Sequence, residues 1–187
     1  QRIWSPCKAG LPLGLLKIAR LIYSSAYRKS LAVQRTYALI DQAWPSILKS
    51  TQAEVVTGPF RGMRYIHESA GSALCPKILG TYEKELHAVV EAIIARRPAC
   101  IIDIGAAEGY YAVGFALRLP DCKVIAFESD PRGQELLRQL ALLNGVADRI
   151  KIEGHCSLES LEASLAANLE NCVVICDAEG AEFELLD

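Results

Sequence analysis

Between Cys100 and Asp177 the chain alternates short apolar runs with amphipathic stretches, and this alternation constrains the fold more than any other feature. Four runs have strand length: Cys100-Ile-Ile-Asp-Ile104, Lys123-Val-Ile-Ala-Phe-Glu128, Arg149 to Glu153, and Cys172-Val-Val-Ile-Cys-Asp177. Between them, Tyr110 to Leu119, residues 132–143 and residues 158–169 place apolar side chains at helical spacing, and Pro120 and Asn144-Gly145 end the first two. Strands that are apolar on both faces need helices on both faces. The expected class is therefore α/β, a Rossmann-like doubly wound parallel sheet.

Upstream, Thr81 can cap a helix whose apolar positions Leu86, Val89, Val90, Ile93 and Ile94 follow i, i+3, i+4, i+7, i+8, with Pro98 as its stop. Residues 54–66 read as a short hairpin, and a loop containing Gly, Ser and Pro runs from there to Gly80. Residues 11–43 read as one or two amphipathic helices, with Leu15, Ile18, Leu21 and Ile22 on one face. Pro45 and the polar run Ser50-Thr51-Gln52 mark a boundary, which gives a basic helical N-terminal extension over 1–52 and a ligand-binding core over 53–187. The extension and the core differ in charge. Residues 1–50 hold eight Lys and Arg against one Asp, a net +7, and the remainder holds twelve against twenty-one, a net −9. The basic lead can fold onto the acidic body or grip an anionic partner.

Hydrophobic residues make up 51% of the chain, enough for a packed core and too many for a disordered segment. No apolar run reaches the roughly 18 residues of a membrane span. Lys17 and Arg20 interrupt the longest one, and they spoil a signal peptide too. The seven cysteines are odd in number and form no Cys-x-x-Cys pair, so neither a disulfide framework nor a zinc site is expected, and a reducing, cytoplasmic location is. The chain begins with Gln1 and ends ten residues after the fourth strand, so the expectation is a core that continues past both ends.

Ligands of open α/β sheets bind outside the carboxyl ends of the strands. The first of these ends is the turn Asp103-Ile-Gly105-Ala-Ala-Glu-Gly109. A dinucleotide fingerprint would place glycines at 105, 107 and 110, but Ala107 and Tyr110 stand there, which argues against a nicotinamide dehydrogenase. Asp-x-Gly-x-x-x-Gly suits a ligand with a carboxylate for the turn's backbone N–H groups and an ammonium for Asp103. Glu128, 23 residues past Gly105, is placed to accept from both hydroxyls of a ribose. Gly154-His155-Cys156-Ser157 would flank a base, with Ser157 capping the next helix and Asp130 capping the one before. Asp177 faces the reacting centre, and with Glu179 and Glu182 it forms an acidic run that could hold a divalent cation, although acids also suit a helix start. No metal is assigned.

Together IIDIGAAEGYYA (101–112), VIAFESDP (124–131), LLNGVADRIKIEGHCS (142–157) and especially CDAEGAEFELL (176–186) resemble class I S-adenosylmethionine-dependent methyltransferases, and more narrowly the FkbM family. GPFRGM (58–63) and PKILGTYEKELH (76–87) resemble the approach to the core in some members. The resemblance implies S-adenosylmethionine as cofactor, with Asp103, Gly105, Ala106 and Gly109 at its methionine end. It implies Glu128 and Ser129 at the ribose, His155 and Cys156 near the adenine, and Tyr82 and Glu83 closing over the cofactor. It puts Asp177, Glu179 and Glu182 beside the reaction site, the latter two toward the acceptor. O-methylation of a small molecule or sugar hydroxyl is the implied reaction, and Asp177 and His155 are the candidate bases. The family sheet runs to about seven strands, so the chain is expected to be truncated after its fourth. Two alternatives stand beside this reading. One is an RNA methyltransferase gripping its substrate with the basic lead, which has few aromatics for that task, and the other is a non-catalytic cofactor-binding domain.

Overall fold

A computed structural model describes residues 17–20, 45–70, 72–167, 171–178 and 185. In chain order the elements are β1 (Lys17–Arg20), α1 (residues 45–51), α2 (Leu74–Leu79), α3 (His87–Arg96), β2 (Cys100–Ile104), α4 (Tyr110–Arg118), β3 (Lys123–Phe127), α5 (Pro131–Leu143), β4 (Ile150–Glu153), α6 (Leu158–Ala166) and β5 (Cys172–Cys176). The strands form one parallel sheet in the order β1-β5-β2-β3-β4. The four strands read from the sequence are β2 to β5, each within a residue of its expected bounds.

Every residue of the two central strands β2 and β5 is buried, as apolar runs with no polar face require. Side chains alternate between the faces. Ile101, Val124, Ala126, Val173 and Ile175 point to a face covered by α3, α4 and α5. Ile102, Ile104, Phe127, Val174 and Cys176 point to the other, where Leu161 of α6 and Leu185 pack. The sheet is thus covered on both sides.

The hairpin exists in reduced form. Glu54 and Arg64 make a single antiparallel bridge, Val55 N–H donates to Met63 O at 2.9 Å, and Tyr65 N–H donates to Ala53 O at 2.7 Å. Its buried Phe60 packs edge-on against Tyr110, Tyr111 and Phe115 with centroids 5.2–5.9 Å apart. A Cβ at Gly114 would lie 2.5 Å from the Phe60 ring, so α4 is closed down at Gly114 to admit it.

Three expectations need correction. The stretch expected to be a loop before Gly80 contains α2. Thr81 does not cap the following helix: its N–H donates to Pro76 O at 2.8 Å, closing the end of α2, and α3 begins at His87 after a 3₁₀ turn over Lys84–Leu86. Lys17–Arg20, expected to be helical, is a strand paired along β5 from Lys17↔Val173 to Arg20↔Cys176. Helical spacing is a local signal, and the strand gives the N–H and C=O groups of β5 the partners that an edge would lack. The rest of the expected N-terminal helices lies outside the described residues. So does the helix expected from Ala181, apart from Leu185, which is helical.

Residues 45–51 form a helix outside the expected ones, and Ile47 and Leu48 pack against the main core. All six described cysteines are buried. Among the described residues no helix is long and apolar enough to cross a membrane, and no group of His, Cys, Asp and Glu could hold a metal ion.

Candidate functional site

The chain runs β2, β3, β4 in one direction across the sheet and then returns to place β5 on the other side of β2. The β2–β5 gap is the switch point at which ligands of such sheets bind. A cleft of about 390 Å³ opens there, at the carboxyl ends of the strands. Its volume falls within the range of small-molecule pockets.

Asp103, the penultimate residue of β2, lines the cleft and is 3% exposed. Its Oδ2 is the one buried side-chain nitrogen or oxygen without a hydrogen-bond partner among the described residues. Burial pushes its carboxyl up to about 7. The backbone of Ala112 works against that rise, and the charges of Asp177, Glu128 and Glu83 add to it. A buried acceptor left unpaired at a cleft wall is a place for a donor from a ligand.

Gly105 (φ +80) follows. A Cβ there would lie 2.1 Å from the carbonyl oxygen of Asp177, so only glycine lets the end of β2 pass the end of β5. Gly105 N–H and Ala106 N–H both donate to Phe127 O, Ala107 N–H donates to Glu128 Oε2 at 2.6 Å, and Gly109 N–H donates to Ala106 O. Four of the turn's amides therefore already have acceptors within the protein.

At the end of β3, Glu128 lines the cleft with both oxygens positioned, Oε2 by Ala107 and Oε1 by Asp130 N–H at 2.7 Å. A carboxylate has about four lone-pair sites, so each oxygen can still accept a hydroxyl. Ser129 and Asp130 also line the cleft, and Asp130 caps α5 through Arg132 N–H as read from the sequence. From the loop after β4, His155 lies exposed at the rim and Cys156 lies buried beside it, its thiol pushed up by burial. Ser157 caps α6 in a capping box with Ser160. Asp177 lines the cleft from the end of β5, its N–H donating to Ile104 O at 2.9 Å.

Two expected site residues stand back from it. Gly109 (φ +91) faces α5, where a Cβ would meet Leu137 Cγ at 2.7 Å, so it is glycine for helix packing. Glu83 accepts the Tyr111 hydroxyl from behind the wall that Tyr82 and Tyr111 present to the cleft. Its carboxyl is raised by burial, with Tyr111 and Tyr82 opposing. Glu179 and Glu182 lie outside the described residues.

The sequence reading missed Lys77 and Glu108. Lys77 lines the cleft from α2, 2% exposed, and its ammonium donates to Glu108 Oε1. Glu108 is fully buried and also accepts from Tyr65 Oη at 2.7 Å, Ser69 Oγ at 2.7 Å and Ala70 N–H at 3.0 Å. Burial pulls the Lys77 ammonium down, against the pull of Glu108. Burial would raise Glu108, but Lys77 and the hydroxyls hold it below its ordinary value. The only signal in the sequence was a lysine set between Cys75-Pro76 and Ile78-Leu79.

No protein-family model matches the chain, and neither does any curated protein. Among solved structures the chain is similar to the cofactor-bound protein Rv0187 from MTB, at 21% identity over 84% of this chain and 60% of that one, with a TM-score of 0.45. It is similar to the O-methyltransferase from Bacillus cereus in complex with SAH, at 17% identity over 81% and 62%, with a TM-score of 0.43. An RNA methyltransferase from Salinibacter ruber, in complex with S-adenosyl-L-homocysteine, matches at 20% identity over 50% and 57%, with a TM-score of 0.40. The chain spans less than two thirds of each of these proteins. At such scores the function has to be read from the cleft.

Proposed function

We propose that the chain binds S-adenosylmethionine in this cleft as a class I methyltransferase of FkbM type, and that the reaction is transfer of a methyl group to a hydroxyl of a small molecule or sugar. The observation that carries the reading is the unpaired, buried Oδ2 of Asp103 facing a cleft whose second strand end, Glu128, holds its carboxylate ready for two hydroxyls. The charge of the walls supports it too. Among the described residues, Asp103, Glu128, Asp130 and Asp177 line the cleft against Lys77 alone, which favours a ligand with cationic centres and repels a pyrophosphate. The motif resemblance supports the narrower family and the oxygen acceptor. The buried thiols of Cys100, Cys122, Cys156 and Cys172, none of them in a disulfide, fit a reducing compartment such as the cytoplasm.

When bound, the sulfonium cofactor supplies an electrophilic methyl group and a leaving group that departs neutral. The protein's part is alignment, exclusion of water and removal of a proton from the acceptor. Asp103 would hold the ligand's ammonium and Glu128 its ribose. Tyr82 and Tyr110 form an apolar wall, their phenols pushed up by burial and by Glu83, so they stay protonated and serve as surface rather than base. Asp177 and His155 line the same cleft and are the groups able to accept the hydroxyl proton.

Calorimetric titration of the full chain with S-adenosylhomocysteine tests the reading, with NAD and a Glu128→Ala variant as controls. Saturable binding that the variant weakens, with no binding of NAD, is expected. Binding of NAD in preference to S-adenosylhomocysteine would overturn the proposal.

A further inference from the structure

We propose that Lys77 is the residue that receives the carboxylate of the ligand's amino-acid end, so that Lys77 and Asp103 together recognise a zwitterion. The inference deepens the S-adenosylmethionine reading and rests on it. Three observations carry it.

The first is what surrounds the ammonium. Glu108 Oε1 and Ser69 Oγ, the latter at 3.3 Å, take two of its three N–H groups, and no described residue offers a third acceptor. On its other sides lie the rings of Tyr82 and Tyr110, with centroids 5.0 and 5.8 Å away, which hold a cation without accepting a hydrogen bond along a fixed line. Lys77 lines the cleft and Glu108 does not, so the pair is ordered with its anion behind and its cation in front.

The second is how far the competing site is already committed. The strand-to-helix turn, where a carboxylate would ordinarily go, has the amides of Gly105, Ala106, Ala107 and Gly109 already bonded within the protein. The third is charge. Lys77 is the only Lys or Arg among the described residues that line the cleft, and the acids there repel a carboxylate from every other wall. Glu108 fixes the ammonium's position, so Lys77 acts as a preorganised donor instead of a mobile surface lysine.

The test compares S-adenosylhomocysteine with its decarboxylated analogue, which keeps the ammonium, by calorimetry on the wild-type chain and on Lys77→Met/Glu108→Gln. The double variant removes both charges at once, and a thermal melt followed by circular dichroism reports whether it folds. Wild type should prefer the carboxylate-bearing ligand by about tenfold or more, the effect of one charge-assisted hydrogen bond. The double variant should bind the two alike. If the double variant does not fold, a crystal structure of wild type with S-adenosylhomocysteine decides: a ligand carboxylate out of hydrogen-bond reach of Lys77 Nζ overturns the proposal. A folded double variant that keeps the wild-type preference also overturns it, as does a wild type that binds both ligands equally, and in both cases the methyltransferase reading survives. If wild type binds neither ligand, that reading falls and this proposal falls with it.

Discussion

The α-hydrogen side of Gly105 faces the carbonyl oxygen of Asp177 so closely that a Cβ would lie 2.1 Å from it. The ends of β2 and β5 therefore touch backbone to backbone at the point where the cleft opens. Gly105→Ala has to move one strand end, and it also places a side chain at φ +80, where an L-residue is strained. It should lower unfolding free energy by roughly 2–4 kcal/mol, the range of severe steric and backbone effects. Urea denaturation measures this, and an alanine variant within 1 kcal/mol of wild type would show that the strand ends part freely.

Asp103 makes both stability and affinity depend on pH. An aspartate ionises near 4 in the unfolded chain, and in the fold burial delays that to about 7. As pH rises from 4 to 7 the unfolded state sheds its proton first, so stability falls across that window and levels off above it, by up to about 4 kcal/mol for a shift of this size. Asp103→Asn should abolish the fall, so the variant gains on wild type with rising pH and matches it below pH 4. Binding runs the opposite way. A ligand ammonium needs the ionised carboxylate, so affinity for S-adenosylhomocysteine should rise from pH 5.5 to 7.5 in wild type and stay level in the variant. Parallel pH profiles for the two proteins would remove Asp103 from the site.

Lys77 and Glu108 are a buried pair whose members cannot be removed singly. Lys77→Met leaves a carboxylate with two hydroxyls and an amide but no cation, and should cost about 3–5 kcal/mol. Lys77→Met/Glu108→Gln removes the charge imbalance and should regain most of that loss. Unfolding midpoints of the two variants and wild type give the answer, and a double variant no more stable than the single one would contradict it.

What the sequence showed and what it hid divide along the range of the interactions. Apolar runs on β2 and β5 announce a buried parallel strand because each residue there is apolar for its own sake. Asp103 and Glu128 were legible because a polar residue closing such a run has only the strand end to occupy. Lys77 and Glu108 lie 31 positions apart, and each alone reads as an ordinary surface charge. Gly109 shared its turn with Gly105, yet its glycine answers to Leu137 on another helix. The commitment of the turn's amides depends on Phe127 O, an acceptor on a neighbouring strand that no local pattern reveals. For β1, helical spacing and an edge in need of a partner gave opposite answers, and the pairing with β5 prevailed.

Glu128 should tolerate no substitution, not even by its own amide. Each of its oxygens accepts a backbone N–H, from Ala107 at 2.6 Å and from Asp130 at 2.7 Å. Glutamine offers one oxygen and one NH₂, so whichever way it turns a donor faces a donor. The Cγ is held as well, because Gly133 leaves it only enough room to pass: a Cβ on Gly133 would lie 2.8 Å away. Glu128→Gln should therefore loosen the β2–α4 turn and weaken S-adenosylhomocysteine binding nearly as much as Glu128→Ala, by about ten- to a hundredfold for the loss of charged hydrogen bonds. If calorimetry finds Glu128→Gln close to wild type, the two amides are not what orients the carboxylate, and its place at the ribose loses its structural support.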